Sequence, residues 1–294
     1  MLSVVIATKD RAPFLAQTLA SLSSQLGAPP FEVIAVDNGS TDSTRTLLDE
    51  LHAHVPFPLT RLYVAEPNRA KARNAGIAAA RGETVVFVDD DVWLPHEFLA
   101  AHAAAHQQGP SCVSGPIINV AAYEETPPPS AANYSGAFLC TCNASVPRAA
   151  LEAVGAFDER FNLYGWEDTD LGLRLRRYGV RKVFAWDAFL YHIKPPAAET
   201  LDVLLRKVLE RARMAARLLE KDDGIRVRLA TGAYAPNLVR AQLMAPNWAL
   251  PLYAGIAQNE RLPLVLRHLA RAQLLDGAYA GELRRALAAA RQSG

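Results

Sequence analysis

Apolar residues in this chain come in short runs, separated by stretches with helical spacing. Leu2–Ala7, Phe31–Val36 and Leu59–Ala65 read as strands, and a fourth run begins at Val85. Runs of this length, rich in β-branched residues, suit strands buried on both faces of a parallel sheet. Between them the spacing turns helical. Pro13–Gln25 carries its proline at a permissive early position. Ser40 or Thr41 can cap a helix whose first turn holds Asp42. Arg69–Ala80 is alanine-rich and closes at Arg81-Gly82. The alternation predicts an α/β fold: a doubly wound, mostly parallel, Rossmann-like sheet with right-handed crossovers.

The second half is less regular. Pro95–Gln107 reads as a helix, and Cys112–Val120 and Ala137–Ser145 as strands. A short helix over Pro147–Val154 ends at Gly155, and a longer one over Asp168–Tyr178 ends at Gly179. Val180–Ala185 and Phe189–Ile193 are strand-like. Glu124–Ser130, with three consecutive prolines, reads as a surface loop over the site, because proline cannot sit in a central ladder. The composition changes near Pro195-Pro196. Beyond it the pattern is helical to residue 294, with breaks at Gly232–Pro236 and Pro246–Pro251. This predicts one domain over 1–197 and a helical C-terminal extension over 198–294.

Charge sharpens that division. Residues 1–200 hold 16 basic and 22 acidic side chains, net −6, whereas residues 201–294 hold 15 and 8, net +7. No run of eighteen apolar residues predicts a membrane span. Met1–Ala7 lacks the basic start of a secretory signal, so a cytoplasmic location is expected. The three cysteines, Cys112, Cys140 and Cys142, are odd in number and lack metal-ligand spacing. They read as reduced core or site-lining thiols.

The candidate chemistry centres on Val85–Val92, where four apolar residues run into Asp89, Asp90 and Asp91. Adjacent carboxylates at a strand end repel one another unless something cationic neutralises them. In open α/β sheets, ligands bind outside the carboxyl ends of the strands. A divalent cation with an anionic ligand such as a diphosphate fits both facts. A solvated acidic turn accounts for an isolated triplet equally well.

Four separated patterns favour the first reading. They are Val-Val-Ile-Ala-Thr-Lys-Asp-Arg at 4–11, Val-Asp-Asn-Gly-Ser-Thr-Asp at 36–42, Ala-Arg-Asn-Ala-Gly through Val-Asp-Asp-Asp at 72–91, and Gly-Trp-Glu-Asp-Thr-Asp-Leu-Gly-Leu-Arg-Leu at 165–175. In this order and at this spacing the chain resembles glycosyltransferase family 2, with the GT-A fold of nucleotide-diphospho-sugar transferases. The resemblance covers about residues 1–195. It implies a nucleotide-binding half over about 1–92 and an acceptor half over about 93–197. It also implies transfer of a sugar from a nucleotide-sugar donor, UDP-linked, to an acceptor hydroxyl, with Mn²⁺ or Mg²⁺ as cofactor and inversion at the anomeric carbon.

Residue roles follow from the same resemblance. Asp37 would accept the imide N–H of uracil, against an Asx turn as the purely structural alternative. Thr8 and Arg11 would touch base or ribose, and Arg73 would lie near the acidic motif and the nucleotide. Asp91 would hold the metal, Asp89 the ribose or a metal-bound water, and Asp90 would be structural or a ribose contact. Asp168 would be the general base, supported by Glu167, although acids at a helix start are also favoured by the dipole alone. His192 would be a second metal ligand. Trp166 is either core or a stacking platform for an acceptor sugar. His96, His102 and His106 lie on one helix without converging, and read as solvated.

Two other functions stay open from sequence. A nucleotidyltransferase shares a similar architecture but carries a glycine-rich loop where this chain has Thr8-Lys9-Asp10-Arg11. A non-catalytic nucleotide-sugar-binding protein would not need Asp91, Asp168 and His192 together. Nucleic acid is not an expected partner. The acceptor is a sugar, a lipid-linked or a small molecule. Leu201–Leu219 carries an apolar stripe beside Arg206, Lys207, Arg211, Arg213 and Arg217. It predicts either packing, on the catalytic domain or in a homo-oligomer, or a peripheral contact with anionic lipid.

Overall fold

A computed structural model describes residues 1–195 and 200–293. The sequence-based boundary at 197/198 falls outside these residues. The described residues divide into two compact units, one of 1–162 and 167–195, the other of 163–166 and 200–293.

The first unit is built on β1 (Leu2–Thr8), β2 (Phe31–Asp37), β3 (Leu59–Tyr63) and β4 (Thr84–Val88), interleaved with α1 (Ala12–Ser23), α2 (Thr44–Leu51) and α3 (Arg69–Ala79). Later come β5 (Val92–Trp93), α4 (Phe98–Ala105), β6 (Ser111–Ser114), β7 (Ile117–Val120), β8 (Asn143–Pro147), α5 (Arg148–Ala153), α6 (Glu167–Tyr178), β9 (Arg181–Phe184) and β10 (Leu190–Ile193). The main sheet has the order β3-β2-β1-β4-β8-β6-β9. Its first four strands run parallel, and β8 is antiparallel to both β4 and β6. A smaller sheet has the order β5-β10-β7.

The continuous apolar strands are explained by two cores. Val5, Ile34, Val85 and Phe87 face α3, α5 and α6, while Val4, Ile6, Val86 and Val88 face α1 and α4. Successive side chains of a strand point to opposite faces, so a strand covered on both sides must be apolar throughout. Each fully buried Leu, Ile or Phe contributes about 1.5–3 kcal/mol.

Three expectations are corrected. The run over Cys112–Val120 is two strands in different sheets, because Gly115-Pro116 turns the chain between them. A Cβ at Gly115 would lie 1.8 Å from the Ala188 carbonyl oxygen, so only glycine passes there. The strand expected over Ala137–Ser145 begins only at Asn143, where pairing with Val88 starts. Finally, His102 and His106 are not solvated. His102 is fully buried, with Nδ1 2.8 Å from Ser145 Oγ and Nε2 3.0 Å from Asn143 Oδ1. His106 Nε2 reaches the same hydroxyl at 2.8 Å.

The second unit is helical: α7 (Leu201–Lys221), α8 (Ile225–Thr231), α9 (Ala235–Met244), α10 (Leu250–Gln258) and α11 (Leu264–Ser293). The C-terminal half of the α7 stripe, including Ala212, Ala215, Ala216 and Leu219, is buried, and α7 packs on α11. Arg213 Nε donates to Glu282 Oε1 at 2.6 Å across that pair. Among the described residues no helix is long and apolar enough to cross a membrane.

Candidate active site

The parallel register aligns the carboxyl ends of β1, β2 and β4. Thr8 pairs with Asp37, and Val5 with Phe87, so Thr8, Asp37 and the acidic triplet share one edge. The reversal of β8 brings its first residue, Asn143, and the turn that leads into it, Thr141-Cys142, to that same edge. β10 pairs with β5, placing His192 opposite Val92, and the Ile193 N–H donates to the Asp91 carbonyl at 2.9 Å. Topology therefore gathers residues up to 184 positions apart in sequence.

At β2, Asp37 is buried. Its Oδ1 accepts from the Ser40 N–H at 2.8 Å, which is the Asx turn. Its Oδ2 has no hydrogen-bond partner, and the Arg45 Nε stands 3.9 Å away. A buried carboxylate oxygen without a donor is costly, and it is the kind of group a ligand N–H satisfies.

The acidic loop is pinned from several sides. The Thr8 hydroxyl donates to Asp90 Oδ2 at 2.6 Å. From α1, the Thr18 hydroxyl reaches the carbonyls of Asp90 and Val92 at 2.9 and 2.8 Å. Arg11 pairs with Asp91, and its guanidinium is 3.8 Å from Asp90. Burial pushes Asp90 up to about 6. Burial also opposes ionisation of Asp91, but His192 and Arg11 outweigh it and hold this carboxyl below its ordinary range.

Two groups of possible cation ligands meet here. His192 Nε2 lies 3.1 Å from Asp91 Oδ1. Asp89, Cys142 and His192 each offer a ligand atom within 4.8 Å of the other two. An imidazole with two or three anionic groups is a donor set that fits a divalent cation.

Arg73 of α3 joins the triplet to the start of α6. Its Nη1 donates to Glu167 Oε1 at 3.1 Å and is 3.8 Å from Asp168 Oδ1, and its Nη2 is 3.6 Å from Asp89 Oδ1. The guanidinium also lies 5.7 Å from the centre of the Phe157 ring. Asp168 accepts from the Thr141 N–H at 2.9 Å and from its hydroxyl at 3.0 Å. Burial, with the charge of Glu167, pushes Asp168 up to about 6 against the pull of Arg73 and Thr141. The arrangement is a half-buried carboxylate held in place and poised near neutrality, as a general base requires.

Trp166 falls in the second unit, with φ of +74°. Its indole N–H donates to the Arg211 carbonyl at 2.9 Å, and the Arg211 guanidinium lies 5.1 Å from the ring centre.

Three residues of the site escaped the sequence reading, Thr18, Tyr123 and Thr141, while Cys142 was read only as a core or site-lining thiol. The Tyr123 hydroxyl is buried without a hydrogen-bond partner. Burial and the charges of Asp91 and Asp90 push it above its ordinary value. Only Thr18, a polar residue on the apolar face of α1, carried any signal in the pattern.

A buried α/β sheet with acids, an arginine and a histidine along one carboxyl edge defines a nucleotide-diphospho-sugar transferase fold of GT-A type. The chain aligns at TM-score 0.63 over 96% of its length with 86% of a mannosyltransferase from Pyrobaculum calidifontis, solved with GDP-Man and Mn²⁺, at 20% identity. It aligns at 0.59 over 99% of its length with 92% of S. aureus TarS 1-349 in complex with UDP-GlcNAc, at 19% identity. In sequence it is 31% identical over 226 residues to validoxylamine A glucosyltransferase of Streptomyces hygroscopicus subsp. limoneus, covering 61% of this chain and 49% of that one. The chain thus spans about half the length of that relative. The model of glycosyl transferase family 2 matches residues 3–154, and the chain belongs to that family.

Proposed function

We propose that this chain transfers a sugar from UDP-sugar to an acceptor hydroxyl, with a divalent cation and with inversion at the anomeric carbon. The observation that carries the reading is Asp168. It is fixed by Thr141, faces Arg73 and Glu167, and is held near neutral pKa beside the acidic triplet. Asp168 accepts the proton of the acceptor hydroxyl as that oxygen attacks. Arg73 and Glu167 hold the base in place and keep its charge balanced. Asp91 and His192, with Asp89, would hold the cation, whose chemistry is to neutralise the diphosphate. Arg11 supplies further positive charge at that edge.

Asp37 supports uridine over guanosine. Ser40 occupies one carboxylate oxygen, so a single oxygen is open. Uracil offers one imide N–H to it. Guanine offers two neighbouring donors and would want both oxygens. The test is calorimetry with UDP and GDP, with Mn²⁺ and with EDTA, followed by hydrolysis of a panel of nucleotide sugars. Equal UDP affinity in EDTA excludes the cation, and tighter GDP binding excludes the uridine preference. Release of pyrophosphate from a sugar phosphate and a nucleoside triphosphate would make the chain a nucleotidyltransferase. Binding without turnover would make it a nucleotide-sugar-binding protein.

We also propose that the helical unit meets an anionic lipid surface, which suits a lipid-linked acceptor and a cytoplasmic, membrane-peripheral enzyme. The C-terminal half of the α7 stripe is buried, and the exposed apolar residues lie on the later helices. Trp248 is 79% and Leu243 75% exposed, and Ile225, Leu252, Leu264 and Val265 are also exposed. Large apolar side chains set among basic ones favour an interface. The net charge of +7 over residues 201–294 favours anionic lipid over a second copy of the same unit.

A further inference from the structure

We infer that Cys142 is a protein ligand of the cation site, which makes it a mixed oxygen–nitrogen–sulfur site selecting zinc- or cobalt-like cations over magnesium. This rests on the proposed metal-dependent reading and deepens it.

The thiol reaches the site through sheet topology. Asn143 pairs with Val88 in the antiparallel β4–β8 ladder. Cys142 and Asp89 are the next residues on each strand, where the ladder opens onto the carboxyl edge. The Cys142 sulfur lies within 4.8 Å of an Asp89 carboxylate oxygen. His192 arrives from the other sheet, and the three ligand atoms lie within 4.8 Å of one another.

Among the described residues, neither Cys112 nor Cys140 joins a cluster of three such ligand atoms. The Cys112 S–H donates to the Phe138 carbonyl at 3.1 Å, and no disulfide ties any of the three. Cys142 is therefore a buried free thiol that shares one cluster with a carboxylate and an imidazole.

A core cysteine behaves as a small hydrophobe and has no need of such neighbours. Carboxylate, imidazole and thiol together are a recognised ligand set for zinc-like cations, and three protein ligands leave positions open for donor oxygens. A cation displaces the thiol proton outright on coordination. Thiolate is soft and magnesium hard, so sulfur in the set raises affinity along the series Mg²⁺, Mn²⁺, Co²⁺, Zn²⁺. If only Asp91 and His192 held the cation, that ordering would not depend on Cys142.

The test uses cations alone, without nucleotide. Co²⁺ titrated into the full chain should produce a near-ultraviolet thiolate-to-cobalt charge-transfer band. The band should persist in Cys112→Ser and Cys140→Ser and vanish in Cys142→Ser and Cys142→Ala, with folding checked by circular dichroism. Zn²⁺ affinity should fall in both Cys142 variants by more than the roughly 10–100-fold that loss of a supporting group costs. Mg²⁺ affinity should be unchanged. Absence of the band in the native chain, or its survival in Cys142→Ala, overturns the inference. UDP calorimetry on the same samples keeps the two readings apart. Metal-dependent UDP binding without a cobalt band overturns Cys142 alone. A band with no UDP binding supports Cys142 and removes the donor reading.

Discussion

Thr141 gives Asp168 both of its hydrogen-bond donors: the backbone N–H at 2.9 Å and the hydroxyl at 3.0 Å. The carboxylate is therefore fixed from the turn that leads into β8, while its covalent attachment is on α6. If it is the base, Asp168→Asn keeps the shape and removes the function. Turnover should fall roughly 10²–10⁴-fold, the range for a positioned acid–base group. UDP binding, measured by calorimetry, should survive. Near-normal turnover would exclude Asp168.

The pH profile follows from the same residue. Asp168 must be ionised to accept a proton, and its folded pKa is pushed up to about 6. kcat should rise with pH through about 6 and level off above neutrality. Asp90 titrates in the same region, so the limb needs assigning. Thr141→Val removes a hydrogen bond that favours the ionised Asp168 and leaves Asp90 untouched. The limb should then move to higher pH by up to about one unit. A limb that stays in place belongs to another group.

Asp37→Ala should weaken UDP binding roughly 10–100-fold, the size of one hydrogen bond to a charged group. It should also erase any preference for UDP over GDP. Calorimetry on both nucleotides reads the two effects, and an unchanged ratio would leave Asp37 as the Asx turn only.

His102 ties acid stability to the core. Burial pushes it down to about 4, against an ordinary value of 6.5. Its ring meets Ser145, Asn143, His106 and the edge of Phe98, and none of these supplies a counter-charge. Between pH 6.5 and 4 the unfolded chain binds a proton that the folded chain does not, so stability falls as pH falls. The contribution is on the order of 3 kcal/mol. His102→Gln should destabilise the protein at pH 7.5, yet flatten the acid limb of its melting temperature. An unchanged slope would assign acid sensitivity elsewhere.

The exposed apolar residues of the helical unit should bind vesicles of anionic phospholipid at low salt and release them at high salt, since lipid attraction is screened. Trp248→Ser with Leu252→Ser should abolish co-sedimentation and leave UDP affinity unchanged. Failure to sediment, with a concentration-dependent rise in mass by light scattering, would assign the surface to a second copy.

Legibility in the sequence followed the range of the interactions. β1, β2 and β4 were readable because burial on both faces makes the whole run apolar, a purely local signature. The chain's change of sheet at Gly115-Pro116 was not, because an unbroken apolar run does not show which sheet each half joins. Asp37, Arg73, the acidic triplet, Asp168 and His192 stood out through their surrounding motifs. Thr141 and Cys142 had no motif. They reach the site only because β8 runs opposite to β4, and antiparallel pairing leaves no mark on the spacing of a single strand. His102 was misread for the same reason: its partners lie 41 and 43 residues away.

Residues 163–166 group with the helical unit, although the chain on both sides of them belongs to the catalytic one. The two units are therefore interleaved along the polypeptide. A truncation after residue 195 would remove α7 and leave the Trp166 indole without the carbonyl it now engages, one peptide bond from Glu167. The helical region is not a detachable tail that could be exchanged between relatives by a single crossover. Any chimera that swaps it must carry the tetrapeptide along, and the start of α6 inherits whatever that graft does to its backbone.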